Sequence, residues 1–279
     1  MFQIPGCGVL EPIEKDAYDH SDHDARGLIK IYEPPMPRAT YVIGVDPTNG
    51  LTNWSRELRS DADTRTDNGA IEVIRVGQQD KPDIQVAEYA APIEPEDLAD
   101  VANFLGRLYC GIDESQQALC IIEVYPGPGL RTQKEMISKY NYYNLFVWKH
   151  IDSLVSKSTN SIGWTTTPKS LRDLWGRTSR HIKRHMSIIN SPWLIEEMAN
   201  ISMRPDMLWG ESVGRKHDDR LRAYMLATWA AHSWDTPLDF GDQKGVQQSK
   251  QPNWQASALT AERLDEIYEE MWDAMSETD

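Results

Sequence analysis

The chain has 279 residues, 40% of them hydrophobic, and carries 43 Asp+Glu against 29 Lys+Arg for a net charge of −14; this suffices for one packed core and excludes a protein that coats nucleic acid through its overall charge. No apolar run approaches the roughly 20 residues of a membrane span, the N-terminus lacks the charged and apolar regions of a secretion signal, and no GxxxxGK(S/T) phosphate loop is present. The expectation is a soluble chain, neither secreted by a standard signal nor able to hydrolyse ATP by itself. Cys7, Cys110 and Cys120 lack CxxC spacing and are odd in number, which argues for a reducing compartment and against a disulfide framework or zinc site.

Residues 1–38, rich in Pro, Gly, Asp and His, read as a lead-in segment with one edge strand in GLIKIYEPP. YVIGVDP is a short β-branched run ending in a turn, as in a buried strand, and residues 48–68 follow as a long loop or hairpin tip. AIEVIRVG and IQVAEYAAP alternate as two antiparallel strands. PEDLADVANFLGRLYC sets Leu98, Val101, Ala102, Leu105 and Leu108 at helical spacing. ALCIIEVYP is a further buried strand, PGLRTQKEMISKY a helix, and LFVWKHI a fifth strand. PKSLRDLWGRTSRHIKRHM and SPWLIEEMANI are predicted helices, the second opened by an N-cap serine and a proline. The order β-β-β-α-β-α-β-α predicts an α/β protein, a mixed sheet of about five or more strands flanked by helices. From residue 236 a polar connector leads to LTAERLDEIYEEMWDAMSETD, whose Leu264, Ile267 and Met271 share one face of an amphipathic tail helix expected to dock on the body or on a partner.

Four acids stand where acids are costly. Asp46 ends the first strand of this series, where a turn-forming aspartate is the plainer reading. Glu123 interrupts CIIEVYP between Ile122 and Val124, and an unpaired buried carboxylate costs several kcal/mol, so a cation or a core arginine should face it. In GRKHDDRLRAYMLATWAAH a helix beginning near Asp218 puts Asp219 at the head of the small stripe Ala223, Leu226, Ala227 and Ala230, and Asp218 to one side. As first-turn acids both also suit the helix dipole. His217 fits the roles of water-orienting group, phosphate contact or general acid, and equally that of a loop histidine. Acids from two strands and a helix converging at one sheet end would form an oxygen-rich site for Mg²⁺ or Mn²⁺, and two such ions suit phosphodiester cleavage.

In order, YVIGVDPTNG, IIEVYPGPG and GRKHDDRLRAYMLATWAAH resemble the three motifs of the nuclease domain of tailed-bacteriophage large terminase subunits, a similarity spanning residues 27–234. The resemblance implies an RNase H-like fold over residues 39–235 and a metal-dependent endonuclease that cuts concatemeric viral DNA. By position it makes Asp46, Glu123, Asp219 and Asp218 the metal ligands and implies two bound ions, Mg²⁺ or Mn²⁺. It further implies double-stranded DNA, a terminase ATPase domain or subunit, a small terminase and a portal protein as partners, in the cytoplasm of an infected bacterial host. The ATPase motor of a complete large terminase is missing from these residues, so translocation is not expected of them.

For DNA contact the sequence offers Lys169, Arg172, Arg177, Arg180, Lys183 and Arg184 on one basic stretch, and Arg215, Lys216 and Arg220 around the HDD triplet. The basic stretch reads equally well as a solvated surface. A Holliday-junction resolvase or transposase of the same fold would carry similar acids, and a non-catalytic packaging component that binds DNA or the portal is the third reading.

Overall fold

Tyr41–Asp46 sends Tyr41, Ile43 and Val45 to one side of the molecule and Val42, Gly44 and Asp46 to the other, and that alternation organises the structure. The structure, a computed structural model, describes residues 2–4, 7–10, 29–48, 68–78, 81–110, 117–125, 127–152, 157–203, 210–212 and 218–233. In chain order the elements are β1 (Phe2–Ile4), β2 (Cys7–Leu10), β3 (Lys30–Ile31), β4 (Tyr41–Asp46), β5 (Gly69–Arg75), β6 (Asp83–Ala91), α1 (Pro95–Leu108), β7 (Leu119–Tyr125) and α2 (Pro128–Tyr140). There follow β8 (Val147–Asp152), β9 (Lys157–Ile162), β10 (Trp164–Thr165), α3 (Pro168–Lys183), β11 (Ser187–Ile188), α4 (Pro192–Ala199), β12 (Ile201–Met203), β13 (Gly210–Ser212) and α5 (Asp219–Ala231). The acidic tail lies outside the described residues. No described helix is long and apolar enough to cross a membrane.

The main sheet has the order β10-β7-β4-β5-β6-β11. β4, β5 and β6 are antiparallel neighbours, β7 runs parallel to β4, and β10 runs parallel to β7. Three antiparallel strands, then two parallel ones added beside the first, define the arrangement. The fold is RNase H-like. The outer edge of β6 is covered in two parts, by antiparallel β3 at Ala87 and Glu88 and by parallel β11 at Asp83 and Ile84.

LFVWKHI departs from the expectation of a fifth strand in this sheet. It forms β8, which pairs with β9 in a separate hairpin, and the outermost place beside β7 goes to the two-residue β10. The physical reason is that β7 offers its edge in two pieces. Leu145 bridges Cys120, with the Phe146 N–H donating to the Cys120 carbonyl at 2.8 Å, while Trp164 pairs at Glu123. The hairpin leaves the sheet between these points, its base closed by the Gly163 N–H donating to the Phe146 carbonyl at 2.7 Å. Gly163 has φ +86, and a Cβ there would lie 2.6 Å from Val124 Cγ1, so only glycine turns the chain back onto β7.

Each face of the sheet is covered by helices. Ile43, Val45, Ile71 and Val73 pack with Leu98, Ala102 and Leu105 of α1 and Met136 of α2. Val42, Ile74 and Ile121 pack with Leu171 and Leu174 of α3, Leu194 of α4, and Leu226, Ala227 and Ala230 of α5. Each such Ile or Leu, once fully buried, contributes about 1.5–3 kcal/mol. α5 comes closest, because a Cβ on Gly44 would fall 2.0 Å from the Ala223 carbonyl oxygen and 2.7 Å from the Ala227 nitrogen. The small residues of α5 and the missing side chain at Gly44 thus set helix backbone against strand backbone, and fix the height of Asp219 above the strand ends.

Candidate metal centre

The pleat carries Asp46, two residues beyond Gly44, onto the face covered by α5, and carries Glu123, two beyond Ile121, onto the same face. β4 and β7 are in parallel register with Val45 beside Ile122, so one further step brings Asp46 and Glu123 side by side. Their carboxyl groups lie close enough to act on each other, and the Asp219 charge acts on the same site. All three acids are partly exposed. Asp219 is held from the neighbouring strand: its Oδ2 accepts the Asn68 N–H at 3.0 Å, just before β5 begins. The structure therefore brings together Asp46, Glu123 and Asp219 from two strand ends and a helix start.

Burial raises the Asp46 carboxyl well above the usual aspartate range, reinforced by the charges of Glu123 and Asp219 and only partly offset by Arg222. Arg222 is the nearby guanidinium, with Nε 3.3 Å from Asp218 Oδ2 and its charge acting on Asp46 and Glu123. The donor set is all oxygen and carries more negative charge than Arg222 balances, which fits hard divalent cations.

Asp218 is the N-cap residue of α5 by backbone position, yet its side chain makes no capping bond. The cap comes instead from α4, where Glu197 Oε2 accepts the Leu221 N–H at 3.0 Å. Arg220, considered above for phosphate contact, turns inward: its Nη1 lies 3.1 Å from Glu197 Oε1 and its Nε 3.7 Å from Glu88 Oε2. Glu72 and Glu88 are fully buried there, with Gln85 Nε2 donating to Glu72 Oε2 at 2.7 Å and Lys30 Nζ 3.5 Å from Glu88 Oε1. Burial is the main cause that raises Glu72 well above the usual carboxylate range and Glu197 to about 7.

Arg215, Lys216 and His217 lie outside the described residues. The basic helix α3 opens with a capping box between Thr167 and Ser170 and follows directly on β10, which runs parallel to β7 past Glu123. Its N-terminal Lys169 and Arg172 are exposed at the end of the sheet that holds the acids. Arg180, Lys183 and Arg184 are also exposed, roughly 20 Å further along the helix. Arg177 is engaged within the fold, its guanidinium 4.0 Å over the Trp229 ring and donating to the Trp229 carbonyl at 3.2 Å.

A second group of metal-ligating side chains has no signature in the sequence. Asp83, His181 and His232 bring one carboxylate oxygen and two imidazole nitrogens within 4.8 Å of one another, an arrangement that can hold a metal ion. His232 closes the very stretch that carries Asp218 and Asp219, but nothing in its spacing pairs it with residues 83 and 181, which only the fold brings near.

No protein-family model matches the chain, and no curated protein matches it. Among solved structures, it is similar to the nuclease domain of a large terminase subunit. That structure is the g2p (large terminase) nuclease domain from bacteriophage SPP1 with bound Mn; identity is 13%, 71% of this chain and 87% of that one are covered, and the TM-score is 0.40. The RNase H-like assignment stands on the strand order and pairing described above.

Proposed function

We propose that the chain is a divalent-metal-dependent endonuclease of the phage-terminase type, with Asp46, Glu123 and Asp219 as its metal-holding acids. The observation that carries this reading is the meeting of these three carboxylates: the parallel register of β4 and β7 sets Asp46 beside Glu123, and the Asp219 charge acts on Asp46. Asp218 is a further candidate ligand, paired with Arg222, whose charge also acts on Asp46 and Glu123. Mg²⁺ or Mn²⁺, two ions in the full site, would supply an activated water and stabilise the leaving oxygen.

The chain's own residues prepare that chemistry. Asn68 orients Asp219, Arg222 limits the repulsion among the acids, and α5, pressed onto Gly44, keeps the three carboxylates in one place. Lys169 and Arg172, with Arg215 and Lys216 from the sequence, would meet the phosphate backbone, leaving His217 to orient water or donate a proton. Double-stranded DNA as substrate rests on the motif resemblance, as do the ATPase, small terminase and portal partners. Residues 39–235 would form the nuclease unit.

The test is nicking and linearisation of supercoiled plasmid by the full chain in Mn²⁺ and in Mg²⁺, beside a four-way junction of matched length. Metal-dependent plasmid cutting abolished by chelator is expected. No cutting in either metal at any enzyme concentration contradicts the proposal, and cutting confined to the junction substitutes the resolvase reading.

A further inference from the structure

We propose that Asp83, His181 and His232 form a second metal site, separate from the carboxylate cluster, which takes a borderline divalent ion such as Zn²⁺ through Asp83 Oδ2, His181 Nδ1 and His232 Nε2. Three elements supply one ligand each: the start of β6, the last turn of α3 and the residue that ends α5. Asp83 Oδ2 lies 2.6 Å from His232 Nε2 and 3.8 Å from His181 Nδ1, and the two rings stand 4.4 Å apart. Bonds of about 2.0–2.2 Å at tetrahedral angles set ligand atoms about 3.3–3.5 Å apart, so the shorter separation opens by under about 1 Å and the longer closes by about 0.4 Å.

A hydrogen-bonded pair of Asp83 and His232 would by itself tie α5 to β6. It gives no reason for a second imidazole to turn toward the same oxygen. His181 does so with a buried Nδ1 that has no hydrogen-bond partner among the described residues, a costly arrangement unless that nitrogen has a ligand to bind. Asp83 is prepared in the manner of a ligating carboxylate: Oδ1 accepts the Gly77 N–H at 2.8 Å, which fixes the group and leaves Oδ2 facing both rings. Two imidazoles and one carboxylate select a transition metal over Mg²⁺, in contrast to the all-oxygen set at the other site. Ligation through Nε2 requires the His232 tautomer that carries its hydrogen on Nδ1, so that the Nε2 lone pair meets the ion. Arg177 and Arg180, whose charges act on His181, moderate the affinity.

The two sites lie at opposite ends of the sheet. Asp46 pairs with Ala70 and Ala70 with Ala90, whereas Asp83 begins β6 at its other end; α5 likewise runs from Asp219 to Ala231, just before His232. Thirteen helical residues separate them by about 20 Å.

The test uses the full chain stripped with chelator and titrated with Zn²⁺ by calorimetry and with Co²⁺ by visible absorption. One tight equivalent of each, distinct from weaker filling of the all-oxygen carboxylate cluster, is expected, and the Co²⁺ form should show the intense d–d bands of a low-coordinate site. His181→Ala and His181→Gln should each weaken binding at least 10-fold while the metal-free Tm stays close to wild type, and Zn²⁺ should raise the Tm of wild type but not of either variant. Glu123→Gln should retain the equivalent. Absence of stoichiometric binding, binding unaffected by both His181 variants, or loss of the equivalent in Glu123→Gln would each overturn the proposal.

Discussion

Glu197 Oε2 accepts the backbone N–H of Leu221 at 3.0 Å, and so caps α5 from outside the helix. The two adjacent aspartates at the helix start are thereby freed from capping: Asp218 turns to Arg222, and Asp219 takes the Asn68 N–H beside Asp46. Glu197→Ala removes the cap and strips the half-buried Arg220 of its closest partner. Urea denaturation should show a loss of about 2–4 kcal/mol, and metal-dependent cutting should fall at least 10-fold because Asp219 loses its placement. Unchanged stability would show that the cap is not what holds α5.

The same glutamate makes a pH prediction with a definite sign. Burial raises Glu197 from 4.5 to about 7, more than Arg220 and the Leu221 N–H draw it back. The folded chain then keeps a proton that the unfolded chain has released, so this group costs nothing below its unfolded value, and stability falls as pH rises from 4.5 through about 7. Glu197→Gln holds the neutral form at every pH. It should flatten stability across that window by about 3 kcal/mol, read from denaturation at several pH values; a parallel pair of profiles would count against the buried, protonated state.

Gly44 and Gly176 give opposite expectations for one substitution. A methyl group at Gly44 meets the Ala223 carbonyl and the Ala227 nitrogen, both backbone atoms that cannot swing aside, whereas around Gly176 in α3 nothing lies within 4 Å. Gly44→Ala should cost about 3 kcal/mol or more and lower cutting by shifting α5. Gly176→Ala should stabilise by roughly 0.5–1 kcal/mol, since alanine favours an exposed helix interior.

The basic helix divides by position. Lys169→Ala with Arg172→Ala removes charge at the acid end, and should weaken DNA binding and reduce the salt-dependence slope by about 2. Arg180→Ala with Lys183→Ala, at the far end, should change the slope less. Equal effects would indicate a DNA path along the whole of α3.

Much of this was legible in the sequence because it rests on local pattern. YVIGVD, AIEVIRVG and IQVAEYAAP declare strands by alternation and β-branching, and the spacing of Ala223, Ala227 and Ala230 anticipates the helix face that meets Gly44. What escaped depends on partners distant in sequence. The charge pocket under α5 joins residues 30, 72, 88, 197 and 220, and the exit of β8 into its own hairpin depends on how much edge β7 has left to offer. Asp83, His181 and His232 are likewise ordinary residues until the start of β6 and the ends of α3 and α5 meet.

The central claim is that Asp46, Glu123 and Asp219 act as one unit. Its most direct test is single-turnover plasmid cleavage in saturating Mn²⁺ by Asp46→Asn, Glu123→Gln and Asp219→Asn, singly and in every pair, with folding checked by circular dichroism. Each single change should lower the rate by about a thousandfold or more, and pairs should lose little beyond the worse single, as for groups that work together. A folded single variant cutting at the wild-type rate, or losses that multiply from one change to the next, would contradict it.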